Sequence, residues 1–315
     1  MRGRGVLLLA LFVFLTSPFV GRMHFSPFGM GELEKAVLLN VRLPRVVASA
    51  LVGASLSLAG LTFQNVFRNP LAGPNLLGVT SGAAFGAVLA ILLGFGGLLI
   101  QFSAFLFGVL AVFIVWRLSK LIGDGLLSLV LAGIAVSAFF SSLVGFAKYL
   151  ADPYDKLQEI VYWLLGSFAG LRWENLWPML PPLAVSIVGI VLLRWLLNVL
   201  SLSEEEAKAL GLNVSLYRRF LVLLAALGVS ASTAMAGMIG WVGLVSPHIA
   251  RLLVGHDNRT LAPVSALVGA SMLAFCDDIA RSLATFELPL GVVTSLIGAP
   301  VLVAILARRR WHVKG

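Results

Sequence analysis

The residues able to do chemistry in this 315-residue chain are few and scattered. Four histidines, His24, His248, His256 and His312, lie too far apart for metal-ligand spacing. The single cysteine, Cys276, permits no internal disulfide and makes no metal motif. No GxxxxGK[ST] phosphate loop occurs, and the chain has no Gly-Lys dipeptide, so it cannot hold ATP by that route. Neither G-x-S-x-G nor H-E-x-x-H is present. No acid, base or metal constellation converges, so the sequence implies neither a catalyst nor a bound cofactor. Three other features stand out: arginines at apolar boundaries (Arg42, Arg45, Arg281), the acidic segment Ser203-Glu204-Glu205-Glu206, and the run Asn69-Pro70-Leu71-Ala72-Gly73-Pro74.

The elements that position these residues are set by composition. Hydrophobic residues make up 59% of the chain and charged residues only 12%, about half the usual supply of a soluble domain. Mean hydropathy is +1.00. This excludes an ordinary cytosolic enzyme, a disordered chain and a nucleic-acid binder. The net charge of +9 is spread over short gaps between long apolar runs, the pattern of a chain solvated by membrane lipid.

A helix needs about 20 residues to cross the hydrocarbon layer. Uncharged stretches run over 5–21, 46–67, 69–116, 125–147, 175–193, 220–250, 261–276 and 288–307. The stretch 69–116 is long enough for two spans, with a turn at Gly94-Phe95-Gly96-Gly97. The stretch 220–250 decides the parity. Crossing twice, with a turn near 237–243, it puts every basic cluster on one side, at +10 against −1 on the other. Lys and Arg collect on the cytoplasmic face, so the expectation is a single all-α domain over 1–315 with ten spans and both termini inside. The first apolar stretch also has the form of a signal peptide, but Thr16-Ser17-Pro18 is a poor cleavage site and the charge balance favours a retained helix.

Two segments fall between spans. Residues 160–171 are apolar but too short to cross, and suit a short helix at the outer surface. The insert 201–219 begins with Ser203 as an N-cap and Glu204–Glu206 complementing the helix dipole, and has Gly211 where a C-cap belongs. Such a helix is either a docking site for a cytoplasmic partner or a plain connector.

Every carboxylate lies at a span end or in a loop, Asp277 and Asp278 being nearest to a span. An ion-coupled carrier commonly keeps an ionisable relay at mid-membrane, and a channel for bulk ions keeps a charged ring or a carbonyl filter. A self-contained secondary transporter is therefore the rival reading, and the pathway's energy is expected from outside the chain. Small residues that let helices approach closely are abundant. The pentapeptide LVGAS occurs at 51–55 and at 267–271, a coincidence that chance explains in so apolar a chain.

Several segments, in order, carry a resemblance. RLPRVVASALVGASLSLAGLTFQNVFRNPLAGPNLLGVTSGAAFG (42–86), YWLLGSFAG (162–170), LSEEEAKALGL (202–212), GMIGWVGLVSPHIARLLVGHDNR (237–259) and DDIARSLATFELPLGVVTSLIGAPVLVAIL (277–306) resemble FecCD-type permease subunits. These are the membrane subunits of ABC importers for iron-siderophores, haem and cobalamin. The resemblance implies ten spans with cytoplasmic termini in the cell (inner) membrane. It implies a homodimer or heterodimer of permeases, two cytoplasmic ATP-binding subunits and an extracytoplasmic substrate-binding protein. The positions matching Arg42, Arg45 and Arg281 would receive carboxylates from the binding protein, and Asn69 with Leu71 would form part of the inner gate. Leu126-Leu127 stand at the other gate element, where some relatives carry small hydroxyl residues. Leu202, Ser203, Glu204, Glu205, Glu206, Ala207, Leu210 and Gly211 match the helix that couples to the ATPase. The implied cargo is a metal chelate: siderophore iron first, haem or cobalamin next, an oxyanion last.

Overall fold

The computed structural model describes residues 2–23, 31–123, 125–202, 206, 211 and 213–313, and these contain helices but no strand. The helices, in chain order, are α1 (Arg2–Thr16), α2 (Glu32–Val66), α3 (Val79–Leu92), α4 (Gly97–Ile122), α5 (Leu126–Leu150), α6 (Lys156–Leu165), α7 (Trp173–Leu192), α8 (Arg194–Ser201), α9 (Val214–Ala236), α10 (Val242–Val254), α11 (Asn258–Ser282) and α12 (Leu290–Val313). Among the described residues, seven helices are long and apolar enough to cross a membrane: α2, α4, α5, α7, α9, α11 and α12. Three shorter apolar helices accompany them, at Gly5–Phe19, Val79–Leu92 and Val242–Val254.

Glycine sets several reversals. Gly94, with φ 76°, closes off α3 and opens the turn to α4, and Gly237, with φ 69°, stops α9 so that α10 can return over 242–254. The division of 220–250 into two helices follows. In α2 the helix begins well before the expected start at residue 46 and passes through Pro44. That ring cannot donate a hydrogen bond and crowds the carbonyl four residues back. A π turn over Leu38–Arg42 absorbs the misfit.

The centre of the bundle is α2 and α9. In each, 78% of the most apolar window is buried, against 28% in α5, α7 and α12. The outer helices turn Leu131, Ile134, Phe139, Phe146, Leu296 and Val303 outward. Water would make that face a liability; hydrocarbon does not. The centre is built by contact of small residues. A Cβ on Gly60 would fall 1.6 Å from the Gly243 carbonyl oxygen, and one on Gly53 would fall 2.3 Å from that of Gly269. Along the same α2–α11 seam, the Ser57 hydroxyl donates to the Ser265 carbonyl at 2.7 Å. The two LVGAS copies thus meet at one helix crossing, through Gly53 and Gly269.

Candidate functional site

Three arginines distant in sequence meet at one end of the bundle. Arg42 and Arg45 lie beside Pro44 at the π turn of α2, and Arg281 lies in the last turn of α11. Each is only 4–6% exposed. Arg42 donates to the carbonyls of Pro18 (3.0 Å) and Met23 (2.5 Å). Arg45 donates through one Nη to Asp277 (2.9 Å) and through the other to Glu287 (2.7 Å). Arg281 donates to the Ser17 carbonyl (2.6 Å), to Ser17 Oγ (2.9 Å) and to Asp278. Ser17 Oγ in turn donates to Asp278 at 2.7 Å. Removing one partner of a buried ion pair costs about 3–5 kcal/mol, and here the acids supply the partners.

The arginines are therefore brought together, as a shared role requires, but inside a salt-bridge network and not on an open face. Asp277, Asp278 and Glu287 complete that network and were not singled out from the sequence as its members. For the first two a signal existed, since they precede Arg281 by four and three residues on a helix. For Glu287, on the segment between α11 and α12, none did.

At the other end of α2, some 20 residues or about 30 Å away, the chain leaves the helix after Val66. Arg68 takes a left-handed backbone (φ 48°). Asn69 Oδ1 accepts from the Leu71 amide at 2.9 Å, closing Asn69 and Leu71 into one tight turn. His248 Nε2 of α10 is hydrogen-bonded to the Pro70 carbonyl at 2.9 Å. Arg68 Nε reaches the Leu200 carbonyl of α8 at 3.4 Å. Leu71 and Leu127 are both exposed, at 55% and 71%, and Leu126 is half-buried against the core. The elements that carry them are packed together: α5 lies on the short 3-10 turn Pro74–Leu77, where a Cβ on Gly133 would meet the Leu76 carbonyl oxygen at 2.3 Å.

Beside this turn lies a network of three asparagines. Asn258, at the start of α11, is 2% exposed. Its Nδ2 donates to Asn198 of α8 (2.8 Å) and to Asn65 of α2 (3.2 Å), while its backbone amide donates to the same Asn198 oxygen (2.8 Å). Asn198 Nδ2 donates to Asp257 at 2.7 Å, and Asp257 caps α11 by accepting from the Arg259 amide at 3.0 Å. Those two bonds, the backbone one first, hold the Asp257 carboxyl below the usual carboxylate range. No single residue of this set forms a motif, which is why sequence reading passed it by.

The insert 201–219 follows directly on α8. Ser203, Glu204, Glu205, Ala207 and Leu210 lie outside the described residues. Leu202 closes α8 by donating its amide to the Val199 carbonyl at 3.1 Å. Glu206 is exposed, and Gly211 has φ 72°, the left-handed backbone that suits a C-cap. The short helix expected at 160–171 lies instead at Lys156–Leu165. Its polar first turn is joined by a Lys156–Glu159 pair at 3.3 Å, and Gly166 (φ 74°) ends it. Among the described residues no cluster of His, Cys, Asp and Glu could hold a metal ion.

Residues 7–308 match the FecCD transport family. The chain is 40% identical to the molybdate import system permease protein MolB of Haemophilus influenzae, over 94% of this chain and 92% of that one. It is also 40% identical to the vitamin B12 import system permease protein BtuC of Klebsiella pneumoniae, over 97% and 93%. A solved structure described as an inward-facing conformation of a metal-chelate type ABC transporter superposes with a TM-score of 0.92 at 40% identity, covering 97% of this chain and 98% of that one.

Proposed function

The chain belongs to the FecCD transport family, and from that premise we propose that it is the membrane-spanning half of a binding-protein-dependent importer for a metal chelate. In this reading the ten apolar helices, long and short, all cross the cell (inner) membrane with both termini in the cytoplasm. Two copies, or this chain and a paralogous one, enclose the pathway. ATP-binding subunits dock on 201–219, and an extracytoplasmic binding protein docks at the end holding Arg42, Arg45 and Arg281. Asn69, Leu71, Leu126 and Leu127 close the inner side. The cargo is a chelate, with siderophore iron as the first candidate and haem or cobalamin next. Relatives named for molybdate and for vitamin B12 support a pathway that does not itself choose the cargo; the binding protein does.

One observation carries the reading. The turn that holds Asn69 and Leu71 is hydrogen-bonded to α8 through Arg68 and Leu200, and α8 leads straight into 201–219. A push delivered to that insert thus has a short, bonded route to the gate. The test is transport in proteoliposomes. Uptake should require ATP, the ATPase and the binding protein together. Uptake by the purified chain alone, driven by an ion gradient and indifferent to ATP, would restore the secondary-transporter reading. The cargo is identified by the molecule that co-purifies with the cognate binding protein.

A further inference from the structure

We propose that Glu287 is a stand-in carboxylate: it occupies Arg45 while the docking end is empty, and an acidic side chain of the docking partner takes its place. The inference rests on the docking reading above and adds to it a displaced internal ligand.

Arg45 is held by two carboxylates of different character. Asp277 sits on α11 with its side chain 3% exposed, fixed by the helix and by the neighbouring Arg281. Glu287 sits on the non-helical segment between α11 and α12, with its side chain 31% exposed. Glu287 is thus the less enclosed of the two, its Oε2 buried without a partner among the described residues and its backbone outside any helix, so it is the one that can exchange.

The surroundings suit an incoming anion. A cavity of about 150 Å³ opens here, lined by Arg22, Arg42, Arg45, Arg281 and Glu287. Four guanidinium groups thus share one lining carboxylate. Arg45 Nε and Arg281 Nη1 are buried without a hydrogen-bond partner among the described residues, and buried donors left unmade are costly. A second carboxylate entering the cavity would add acceptors beside a lining rich in guanidinium groups.

Displacement would not stay local. The segment bearing Glu287 is fastened at three places: Arg22 donates to the Thr285 carbonyl (2.5 Å), the Leu288 amide to the Ala280 carbonyl (2.9 Å), and the Leu290 amide to the Gly166 carbonyl (2.8 Å). Gly166 is the residue that ends α6. Releasing Glu287 from Arg45 frees the middle of a strap whose far end is bonded to the short outer helix. Docking is thereby connected to the outer mouth of the pathway through a single exchanged ion pair.

The experiment measures the affinity of the cognate binding protein for the permease–ATPase complex in nanodiscs. Glu287→Gln keeps an acceptor for Arg45 but removes the competing charge. Binding should tighten on the order of tenfold, the scale of a close charge pair across an interface. Glu287→Asp keeps the charge but withdraws it by one methylene, so it should tighten binding by less, and it serves if the Gln variant melts early. Neutralising the surface acids of the binding protein tests the docking reading without altering the permease. If that change weakens binding while neither Glu287 variant tightens it, the stand-in is overturned and the docking reading survives. If it leaves binding unchanged, the docking reading itself is lost.

Discussion

Gly53 and Gly269 press backbone on backbone: a Cβ on the first would lie 2.3 Å from the carbonyl oxygen of the second, and a Cβ on the second 2.4 Å from that of the first. The atoms in the way are main-chain atoms of two buried helices, so no side chain can swing aside. Gly53→Ala or Gly269→Ala should each lower stability by about 1–3 kcal/mol, the range for overpacking a filled interior, and leucine at either place should abolish the folded protein. Gly97→Ala meets nothing within 4 Å and should be near neutral. Thermal melting of the detergent-solubilised variants checks the ordering.

That crossing shows how far the sequence could be read. The apolar helices are legible because the gaps between charges mark them; among the described residues seven are long enough to cross a membrane and three more are shorter. Pairing is not legible in the same way. Gly53 and Gly269 carry no side chain to advertise a partner, and their shared pentapeptide is too plain to stand out. The arginine cluster is half legible: the arginines stand out at apolar boundaries, but Glu287 reaches Arg45 across 242 residues of chain. A non-local ion pair leaves no periodic trace. The asparagine network is silent for the same reason, since each member alone is an ordinary residue at a helix end.

The proposed ten-span topology rests on charge placement and is open to a labelling test. With Cys276 buried, Asp155→Cys should be labelled from outside in sealed, right-side-out vesicles. Glu205→Cys and a cysteine added at the C-terminus should be protected until the vesicles are opened. Labelling of the C-terminus in sealed vesicles would rule out ten crossings.

Asn258 joins three helices through one side chain, so its loss should not be additive with that of its neighbour. Asn258→Leu takes the donor from Asn65 Oδ1, at a cost of about 1–3 kcal/mol, while Asn198 keeps the backbone amide of residue 258 and its bond to Asp257. Asn198→Ala alone removes part of the same set. A double-mutant cycle on melting free energies should give a coupling of about 0.5–3 kcal/mol. Simple additivity would mean that the network is not a unit.

Asp257 gives this corner a pH dependence with a definite sign. Its folded-state carboxyl is lowered, first by the Arg259 amide and then by Asn198, while the unfolded value is about 3.9. The stabilisation it provides is therefore complete above the unfolded value and fades as pH falls through the lowered one. Asp257→Asn keeps a capping side chain but does not titrate. The melting temperatures of the two proteins should differ by a constant amount between pH 5 and pH 7 and converge below about pH 4. A difference that holds unchanged into acid would show that the carboxylate contributes nothing there.

The sharpest separation of the importer from the secondary carrier lies in 201–219. From the sequence, Glu204, Glu205 and Glu206 are expected to be helix-start charges rather than chemical groups, so single neutral substitutions should each change transport little. Ala207→Pro is different in kind. In the short helix that the sequence predicts between Ser203 and Gly211, a proline removes one hydrogen bond and costs about 3 kcal/mol, more than so short an element can absorb. The apolar helices are untouched, so the variant should insert in the membrane at normal abundance and melt normally. The ATPase should then either fail to co-purify or hydrolyse ATP without uptake, because the bonded route from α8 through Leu200 and Arg68 to the Asn69 turn receives no push. A carrier driven by an ion gradient would not notice the change. Normal uptake by the Ala207→Pro protein would therefore remove both the coupling role of the insert and the mechanical route proposed from it.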